Sequence, residues 1–195
     1  MNRNIAVFMD RDGTICEEVG YLKTPCDLNI LPGTVDAIRL INKSRIKAVV
    51  ITNQSGVAKG YFSEEVVQRV HIRLKELLEE KCAYLDGIYY CPHHPEFGPQ
   101  EYRKRCDCRK PEAGMLEMAS RDLKIELPLS YVIGDKISDI ELAHRVGAKG
   151  VLVLTGYGKE EVKSLDRGSK NRPYYIAEDI LAAVNWILLD LQVKQ

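Results

Sequence analysis

Two aspartates, one residue apart, follow a short apolar run near the start of the chain. The segment 10–14 reads Asp-Arg-Asp-Gly-Thr and comes directly after residues 5–9, which predict a buried strand. Side chains two positions apart on an extended backbone share a face, so we expect Asp10 and Asp12 to meet at one site and Arg11 to point elsewhere. Neighbouring carboxylates repel each other, and a nucleophile beside an acid/base with bound magnesium would relieve that repulsion. The alternative is an Asx-turn after a strand, completed by the glycine.

Three further predicted strands also end in side chains that could do chemistry. The loop after the second strand carries hydroxyl and amide groups that could cradle phosphate oxygens without adding charge. The loop after the third ends in two cations, and the loop after the fourth carries two aspartates. In open parallel sheets, ligands bind at the carboxyl ends of the strands, so we expect these loops to share one site. In chain order the residues are Thr52, Asn53, Gln54, Ser55, Gly56, Arg109, Lys110, Asp135 and Asp139.

Apolar runs alternate with helical patterns, which predicts an α/β fold with a mainly parallel sheet. The strand-like runs are almost continuously apolar, as expected of strands covered on both faces. We therefore expect one Rossmann-like, three-layer domain over residues 1–195, with no second domain. The polar segment 156–173 is predicted to be a mobile surface loop. Strands are predicted at 5–9, 47–51, 87–90, 131–133 and 151–154, and helices at 34–43, 64–81, 112–123, 138–146 and 178–191.

The charge balance argues against a nucleic-acid-binding protein. The 195 residues include 28 Lys and Arg and 28 Asp and Glu, so the net charge is zero. Affinity for nucleic acid depends on neutralising phosphates, whereas a small anionic ligand needs only local positive charge. The first residues contain too short an apolar run for a signal peptide, and no run is long enough to span a membrane. We expect a cytoplasmic protein, and a monomer because no helical pattern has an obvious interaction face.

Three of the six cysteines and two histidines fall in the segment 91–110, a long connection for a compact domain. Clustered cysteines in a chain without an export signal indicate a metal before disulfides. We expect tetrahedral zinc, because the segment has little apolar content with which to fold. His94 competes for the histidine position, and two buried thiols with an unrelated histidine, or a redox pair of cysteines, are the alternatives. The predicted ligands are Cys91, His93, Cys106 and Cys108.

The predicted zinc site lies directly before two cations that should meet a substrate. Cys108 is followed by Arg109 and Lys110, so a metal that fixes the cysteine also fixes both cations. Four protein ligands leave no open position for a water molecule. We therefore expect the zinc to preorganise the two cations rather than to take part in the chemistry.

With these motifs in this order, the chain resembles the haloacid dehalogenase-like (HAD-like) phosphohydrolases. The motifs of that family correspond to the segments 10–14 and 52–53, Lys110, and the segment 134–139. The resemblance implies hydrolysis of a phosphate monoester through a covalent intermediate. It makes Asp10 the nucleophile and Asp12 the group that protonates the leaving oxygen and then takes a proton from water. Thr52 and Lys110 would stabilise the transition state.

The same resemblance implies a catalytic magnesium ion. Its ligands would be Asp10, Asp135 and the backbone carbonyl of Asp12. Asp139 would anchor Lys110 or support the metal shell, and an acid in the first turn of a helix is the alternative for it.

The cysteine segment narrows the resemblance to a zinc-bearing branch without a large cap domain. It is similar to the D-glycero-D-manno-heptose-1,7-bisphosphate 7-phosphatases, with histidinol-phosphate phosphatases as close relatives. The matching stretches are 20–21, 52–56, 87–95, 106–111 and 134–136, while Lys59 stands where that family commonly has arginine. The implied substrate-binding residues are Glu18, Gly20, Tyr21, Thr52, Asn53, Gln54, Ser55, Arg109, Lys110 and Lys136.

A substrate with two phosphates fits these residues. One phosphate would lie at Asp10, and the second needs another cation, for which Arg109 offers a bidentate fork and Lys136 a point charge. Histidinol phosphate has a cationic leaving group and would favour an anion at the position of Arg109. We therefore expect removal of the 7-phosphate in nucleotide-activated heptose biosynthesis, with histidinol-phosphate hydrolysis as the alternative. The sequence leaves the anomer open, and it disfavours both a nucleic-acid end phosphatase and a zinc module with an inactive site.

Overall fold

A six-stranded sheet, in which every strand pairing is parallel, forms the centre of the protein. The computed structural model describes residues 4–165 and 171–193. The strand order is β3-β2-β1-β4-β5-β6, which places β1 between β2 and β4. The strands are β1 (Ala6–Met9), β2 (Lys47–Asn53), β3 (Gly87–Cys91), β4 (Tyr131–Gly134), β5 (Lys149–Val153) and β6 (Tyr175–Ala177).

Helices cover both faces of the sheet and complete the predicted three layers. Val7 and Met9 belong to one core cluster, shared with α1, α2 and α6, whereas Ala6 and Phe8 belong to the other, shared with α3 and α4. All four side chains are fully buried, which explains the continuous apolar runs. The helices are α1 (Thr34–Lys43), α2 (Glu64–Glu79), α3 (Gly114–Leu123), α4 (Ile137–Arg145), α5 (Gly158–Lys163) and α6 (Ile180–Gln192), with 3-10 turns at Pro25–Asp27 and Leu127–Leu129.

The topology explains where the site forms. The chain runs outward from β1 through β2 to β3, and then returns to the other side of β1 to form β4. Phe8 is in register with Val49 of β2 and with Val132 of β4, so the three strands end side by side. This reversal of strand order creates a crevice at the carboxyl ends, where open α/β sheets bind ligands.

The structure corrects the expectation for residues 156–173. Part of this segment is α5, a six-residue helix, and residues 166–170 lie outside the described residues. The short strand β6 was not predicted, because its first two residues, Tyr175 and Ile176, are exposed at the sheet edge and give no buried apolar run.

Across residues 4–165 and 171–193, every named strand belongs to the one sheet, which confirms a single α/β domain without a large cap. Within those same residues, no helix combines the length and apolarity that crossing a membrane requires.

Candidate active site

A cavity of about 440 Å³ opens at the carboxyl ends of β1 and β2. Asp10 and Asp12 both line it, as the sequence predicts. Its size is suited to a small-molecule ligand. The ten residues predicted to bind substrate also line it: Glu18, Gly20, Tyr21, Thr52, Asn53, Gln54, Ser55, Arg109, Lys110 and Lys136.

A buried lysine lies between two aspartates on the cavity floor. The Nζ atom of Lys110 is 2.8 Å from Oδ1 of Asp10 and 2.7 Å from Oδ1 of Asp139. Burial alone would lower the pKa of Lys110, but the two carboxylates outweigh it and the net shift is upward. Burial raises the pKa of Asp10 to about 6 against the opposing effect of Lys110. The lysine is therefore charged, and it holds Asp10 in place beside the cavity.

Asp139 makes the contacts of two of the three roles that the sequence left open for it. It is fully buried in the first turn of α4, where one carboxylate oxygen accepts the backbone N–H of Lys136 at 3.3 Å. Its other oxygen pairs with Lys110. Asp139 therefore both caps its helix and anchors Lys110.

Asp135 is fully buried and carries an oxygen that lacks a partner. Its Oδ2 accepts the backbone N–H of Tyr157 at 2.9 Å, whereas Oδ1 has no hydrogen bond. Burial and the neighbouring Asp10 raise the pKa of Asp135 to about 7. Gly13 (φ +85°) and Gly156 (φ +51°) leave room for this carboxylate, because a Cβ on either would collide with its Oδ2. The unpaired oxygen is suited to a cation shared with Asp10.

Oxygen atoms of three aspartates lie within 4.8 Å of one another at this point. These are Asp10, Asp135 and Asp139, of which Asp139 already pairs with Lys110. Asp10 and Asp135 are therefore the carboxylates available to a magnesium ion, which prefers few carboxylates and retains waters. The residues present fit the cation that the sequence predicts.

Arg11 does not point away from the site, contrary to the expectation from strand alternation. It lines the cavity and forms a bidentate ion pair with Asp12, with NH2 at 2.8 Å from both carboxylate oxygens. Strand β1 ends at Met9, so the alternation rule no longer applies at residues 10–12. Gln54 donates a further hydrogen bond to Asp12 at 2.8 Å.

The loop after β2 organises the site through its amides. Gln54 donates to Oγ1 of Thr52 at 2.8 Å and thereby links it to Asp12. The amide of Asn53 accepts the N–H of Lys110 at 3.1 Å and donates to its carbonyl at 3.2 Å. Asn53 lines the cavity, but these bonds occupy its amide and align the backbone of Lys110.

The cavity rim combines charged and aromatic groups. The Nζ atom of Lys136 lies 3.4 Å from Oε2 of Glu18 and 4.5 Å from the centre of the Tyr157 ring. On the opposite side, Lys59 donates to the hydroxyl of Tyr21 at 2.9 Å. Two residues expected to border the sugar, Glu18 and Tyr21, are therefore each held by a lysine.

The cysteine segment brings its four predicted ligands together. Five of the six distances among their three sulfur atoms and Nδ1 of His93 are 3.1–3.6 Å, and all four atoms lie within 4.8 Å of one another. A tetrahedral zinc ion with Zn–S bonds of about 2.3 Å separates its sulfur ligands by about 3.8 Å, so the cluster is close to the required geometry. His94 is not part of it, because its Nδ1 accepts the backbone N–H groups of Glu96 and Phe97. The clustered residues are Cys91, His93, Cys106 and Cys108.

The cluster is connected directly to the cavity. Arg109 follows Cys108 in the sequence, and its NH1 donates to the carbonyl of His93 at 3.1 Å. The next residue, Lys110, reaches the carboxylate of Asp10. The cysteine cluster is therefore linked to Arg109 by a hydrogen bond and to Lys110 through the chain, and the positioning of both cations by zinc stays a prediction.

Residues 107–183 match the family model described as HAD-hydrolase-like. A relative from Thermosynechococcus vestitus, D-glycero-D-manno-heptose-1,7-bisphosphate 7-phosphatase, is 41% identical over 190 residues, which cover 95% of this chain and 96% of the relative. The chain belongs to the heptose-1,7-bisphosphate 7-phosphatase family.

Two further members of this family extend the comparison. D-glycero-beta-D-manno-heptose-1,7-bisphosphate 7-phosphatase from Haemophilus influenzae is 44% identical over 156 residues, or 78% of this chain and 83% of the relative. The crystal structure of D,D-heptose 1,7-bisphosphate phosphatase from B. bronchiseptica, complexed with magnesium and phosphate, superposes with a TM-score of 0.82. It is 28% identical and covers 95% of this chain and 99% of its own.

Five residues that line the cavity were not predicted as site residues from the sequence. Tyr157 was detectable, since it follows the fifth predicted strand at the same sheet edge as the other loops. Arg11 was detectable as a charge inside the first motif. Leu22 and Phe62 are apolar and stand outside the motifs, whereas Ser138 lies within the segment 134–139 and was detectable from that motif. The five are Arg11, Leu22, Phe62, Ser138 and Tyr157.

Proposed function

We propose that this protein removes the 7-phosphate of D-glycero-D-manno-heptose 1,7-bisphosphate, for nucleotide-activated heptose biosynthesis. The observation that carries the proposal is that Asp10 and Asp12 share one cavity with Arg109 and Lys136. Such a cavity offers a reaction centre for one phosphate and cations for a second. The names of the curated relatives support the same substrate.

The reaction proceeds in two steps. Oδ2 of Asp10, whose other oxygen is held by Lys110 and by the backbone N–H of Arg11, attacks phosphorus as the bond to the sugar oxygen breaks. The protonated form of Asp12 gives its proton to that oxygen, and the resulting carboxylate takes a proton from the water that hydrolyses the aspartyl phosphate. Lys110 and Thr52 stabilise the phosphoryl oxygens as charge spreads over them.

Asp10, Asp135 and the backbone carbonyl of Asp12 would hold a magnesium ion. When bound, this ion offsets the repulsion between the carboxylate nucleophile and the phosphate. The unpaired buried oxygen of Asp135 supports this assignment. Cys91, His93, Cys106 and Cys108 would hold a structural zinc ion, which their mutual distances support. We further infer a monomer that works in the cytoplasm.

The cations at the rim favour a sugar bisphosphate over histidinol phosphate. Arg109 and Lys136 both line the cavity, and a cationic leaving group would meet repulsion there. Steady-state kinetics on both anomers of the heptose bisphosphate, beside histidinol phosphate, test this choice. We expect the bisphosphate to have the higher kcat/KM, and a preference for histidinol phosphate would contradict the proposal.

The covalent step is tested with Asp10→Asn. We expect this variant to lose turnover while it keeps its fold, because an amide is a poor nucleophile. The matched control is Asp36→Asn on the exposed face of α1, which should keep full activity. With a substrate whose 7-phosphate is replaced by an isotopically chiral thiophosphate, hydrolysed in isotopically heavy water, the unaltered enzyme should release thiophosphate with retention of configuration, because each of the two displacements at phosphorus inverts it. Inversion of configuration would indicate direct attack by water and would rule out the aspartyl phosphate.

A further inference from the structure

Arg11 is the largest side chain among those that the described structure buries completely. Burying a guanidinium is costly unless it is paired and hydrogen-bonded. Its Nε donates to Oδ1 of Asp12 at 3.0 Å, and NH2 donates to both oxygens of the same carboxylate at 2.8 Å. The reaction proposed above assigns no role to this buried charge. Arg11 is nevertheless hydrogen-bonded to Asp12, the group assigned to proton transfer.

The donors of Arg11 are nearly all committed within the protein. Nε and NH2 serve Asp12, and NH1 contacts Nε2 of His71 at 3.1 Å. An arginine that binds a phosphate bidentately needs two adjacent free donors. Arg11 lines the cavity without such a pair, so its geometry is suited to holding Asp12 rather than to binding substrate.

His71 holds Arg11 from the side opposite Asp12. Since arginine can only donate, Nε2 of His71 must accept this bond, so the imidazole is neutral with its proton on Nδ1. His71 is buried on α2, and its ring packs edge-on against Tyr90 with centroids 5.6 Å apart. The guanidinium is thus fixed between a carboxylate and a rigidly packed acceptor.

We propose that Arg11 is a positioning residue for Asp12 and that His71 orients Arg11. Together with Gln54, which donates to Oδ2, Arg11 restricts both the place and the rotation of the Asp12 carboxylate. Proton transfer to a leaving oxygen is sensitive to such placement, because a shift of about 1 Å can cost roughly 10²-fold in rate. This inference rests on the proposed function, which assigns proton transfer to Asp12.

The first test compares two leaving groups with the magnesium-loaded enzyme. The heptose bisphosphate needs its leaving oxygen protonated, whereas p-nitrophenyl phosphate does not. Asp12→Asn should lower kcat on the sugar by roughly 10²- to 10⁴-fold and on the aryl ester far less. Arg11→Lys replaces the fork with a point charge and should lower kcat on the sugar by on the order of tenfold, with KM unchanged. Equal losses on both substrates for Arg11→Lys would overturn the inference.

The second test is a double-mutant cycle. If Arg11 acts through Asp12, then adding Arg11→Lys to Asp12→Asn should cost nothing further in kcat. Multiplying losses would place the role of Arg11 elsewhere and overturn the inference. An Asp12→Asn loss that is equal for both leaving groups would contradict the proposed role of Asp12 itself, and the cycle would still show whether Arg11 acts through it.

The third test addresses His71 and needs no change at the buried arginine. His71→Gln keeps an acceptor for Arg11 and should stay within about twofold of the unaltered enzyme, whereas His71→Leu removes it and should lower kcat on the sugar severalfold. Val67→Ala, one turn earlier on the buried side of α2, controls for loosening of the helix. The proposed role of His71 is wrong if His71→Leu and His71→Gln lower kcat equally. It is also wrong if Val67→Ala produces the same difference in kcat between the two leaving groups as His71→Leu.

Discussion

At the residue scale, the charges buried on the cavity floor are paired with charges of opposite sign, except for that of Asp135. Lys110 lies between Asp10 and Asp139, and Arg11 pairs with Asp12. Removing one member of such a pair leaves the other uncompensated, which typically costs about 3–5 kcal/mol. Substitutions at this floor therefore affect stability as well as chemistry. Residues at the rim are half-buried and can be changed with less effect on folding.

Arg109 is the rim residue at which substrate choice can be tested. Arg109→Ala removes the cation placed for the second phosphate, so kcat/KM on the heptose bisphosphate should fall by about 10²-fold, as expected for loss of roughly 3 kcal/mol of charge-assisted hydrogen bonds. A sugar monophosphate should lose much less. Steady-state kinetics on both substrates measure the ratio. Arg105→Ala, an exposed change in the same segment, is the control. Equal losses on both substrates would remove Arg109 from recognition of the second phosphate.

His71 gives the protein a stability that depends on pH. Burial and the neighbouring Arg11 lower the pKa of His71 to about 3, whereas an unfolded histidine has a pKa of about 6.5. Between these values the unfolded chain binds more protons, so the free energy of unfolding decreases as pH falls below about 6.5. The His71 contribution lost at pH 5.5 is about 1.4 kcal/mol.

Urea unfolding at pH 7.5 and 5.5, with both metals at fixed concentrations, measures this effect. The unaltered protein should lose about 1.4 kcal/mol more than His71→Gln, which cannot titrate in this range. All other groups, including the predicted zinc ligands, are common to both proteins and cancel in the comparison. The same loss in both proteins would contradict a depressed pKa at His71.

At the residue scale, the sequence predicted which residues line the site better than it predicted how their side chains are oriented. Asp10, Asp12 and Asp135 were predicted because carboxylates directly after several apolar runs should meet at one sheet edge, and Lys110 was predicted because the cysteine segment after the third strand ends in two cations. The roles of Arg11 and Asn53 could not be read in the same way. Arg11 turns into the site because β1 ends at Met9, and the amide of Asn53 is occupied by a backbone 57 residues away. Such pairings depend on the tertiary structure.

At the element scale, α2 joins the cysteine segment to the rest of the domain. Glu64, in its first turn, accepts hydrogen bonds from the hydroxyls of Tyr90 at 2.6 Å and Tyr102 at 2.9 Å. Tyr90 belongs to β3, and Tyr102 to the segment 91–110. One carboxylate therefore connects a helix, a strand and the metal-binding segment.

Glu64→Ala should lower the free energy of unfolding by about 1–3 kcal/mol, because both phenols lose a charged acceptor. The neighbouring Glu65 is exposed, so Glu65→Ala changes the same helix end without touching either tyrosine. Urea unfolding of the two variants measures the difference. If Glu64→Ala were no less stable than Glu65→Ala, the connection through Glu64 would contribute nothing to stability.

The elements themselves were predictable where burial leaves a pattern. Five of the six strands were identified, because each is nearly continuous apolar sequence between two layers of helices. The exceptions are short and lie at one side of the sheet. Strand β6 has three residues, two of them exposed, and α5 has six residues in a polar stretch. Neither is long enough for its own periodicity to show.

At the scale of the whole molecule, the net charge is zero, yet charged side chains are concentrated in and below the cavity. The cavity and its floor contain five carboxylates and four cations among the described residues. A dianionic phosphate would meet a slightly negative site there, unless a divalent cation is added. The neutral composition argues against a broad basic surface, while the local arrangement still suits a phosphorylated sugar once magnesium is bound. The nine residues are Asp10, Asp12, Glu18, Asp135, Asp139, Arg11, Arg109, Lys110 and Lys136.

The predicted zinc ion would support the cavity cations without contacting the substrate. Removing it tests whether the metal positions these cations. Cys108 and His93 hold Arg109 through the sequence and through a backbone carbonyl, so losing the metal should displace Arg109 and Lys110 without altering the aspartates. A zinc chelator, applied with magnesium in excess, should lower both kcat/KM and the unfolding temperature, and added zinc should restore them. Cys106→Ser should behave like the chelated protein, whereas Cys26→Ser, an exposed cysteine outside the cluster, should behave like the unaltered one. Normal turnover by protein shown to be free of zinc would mean that the segment positions both cations unaided. A loss of stability with unchanged kinetics would confine the metal to folding.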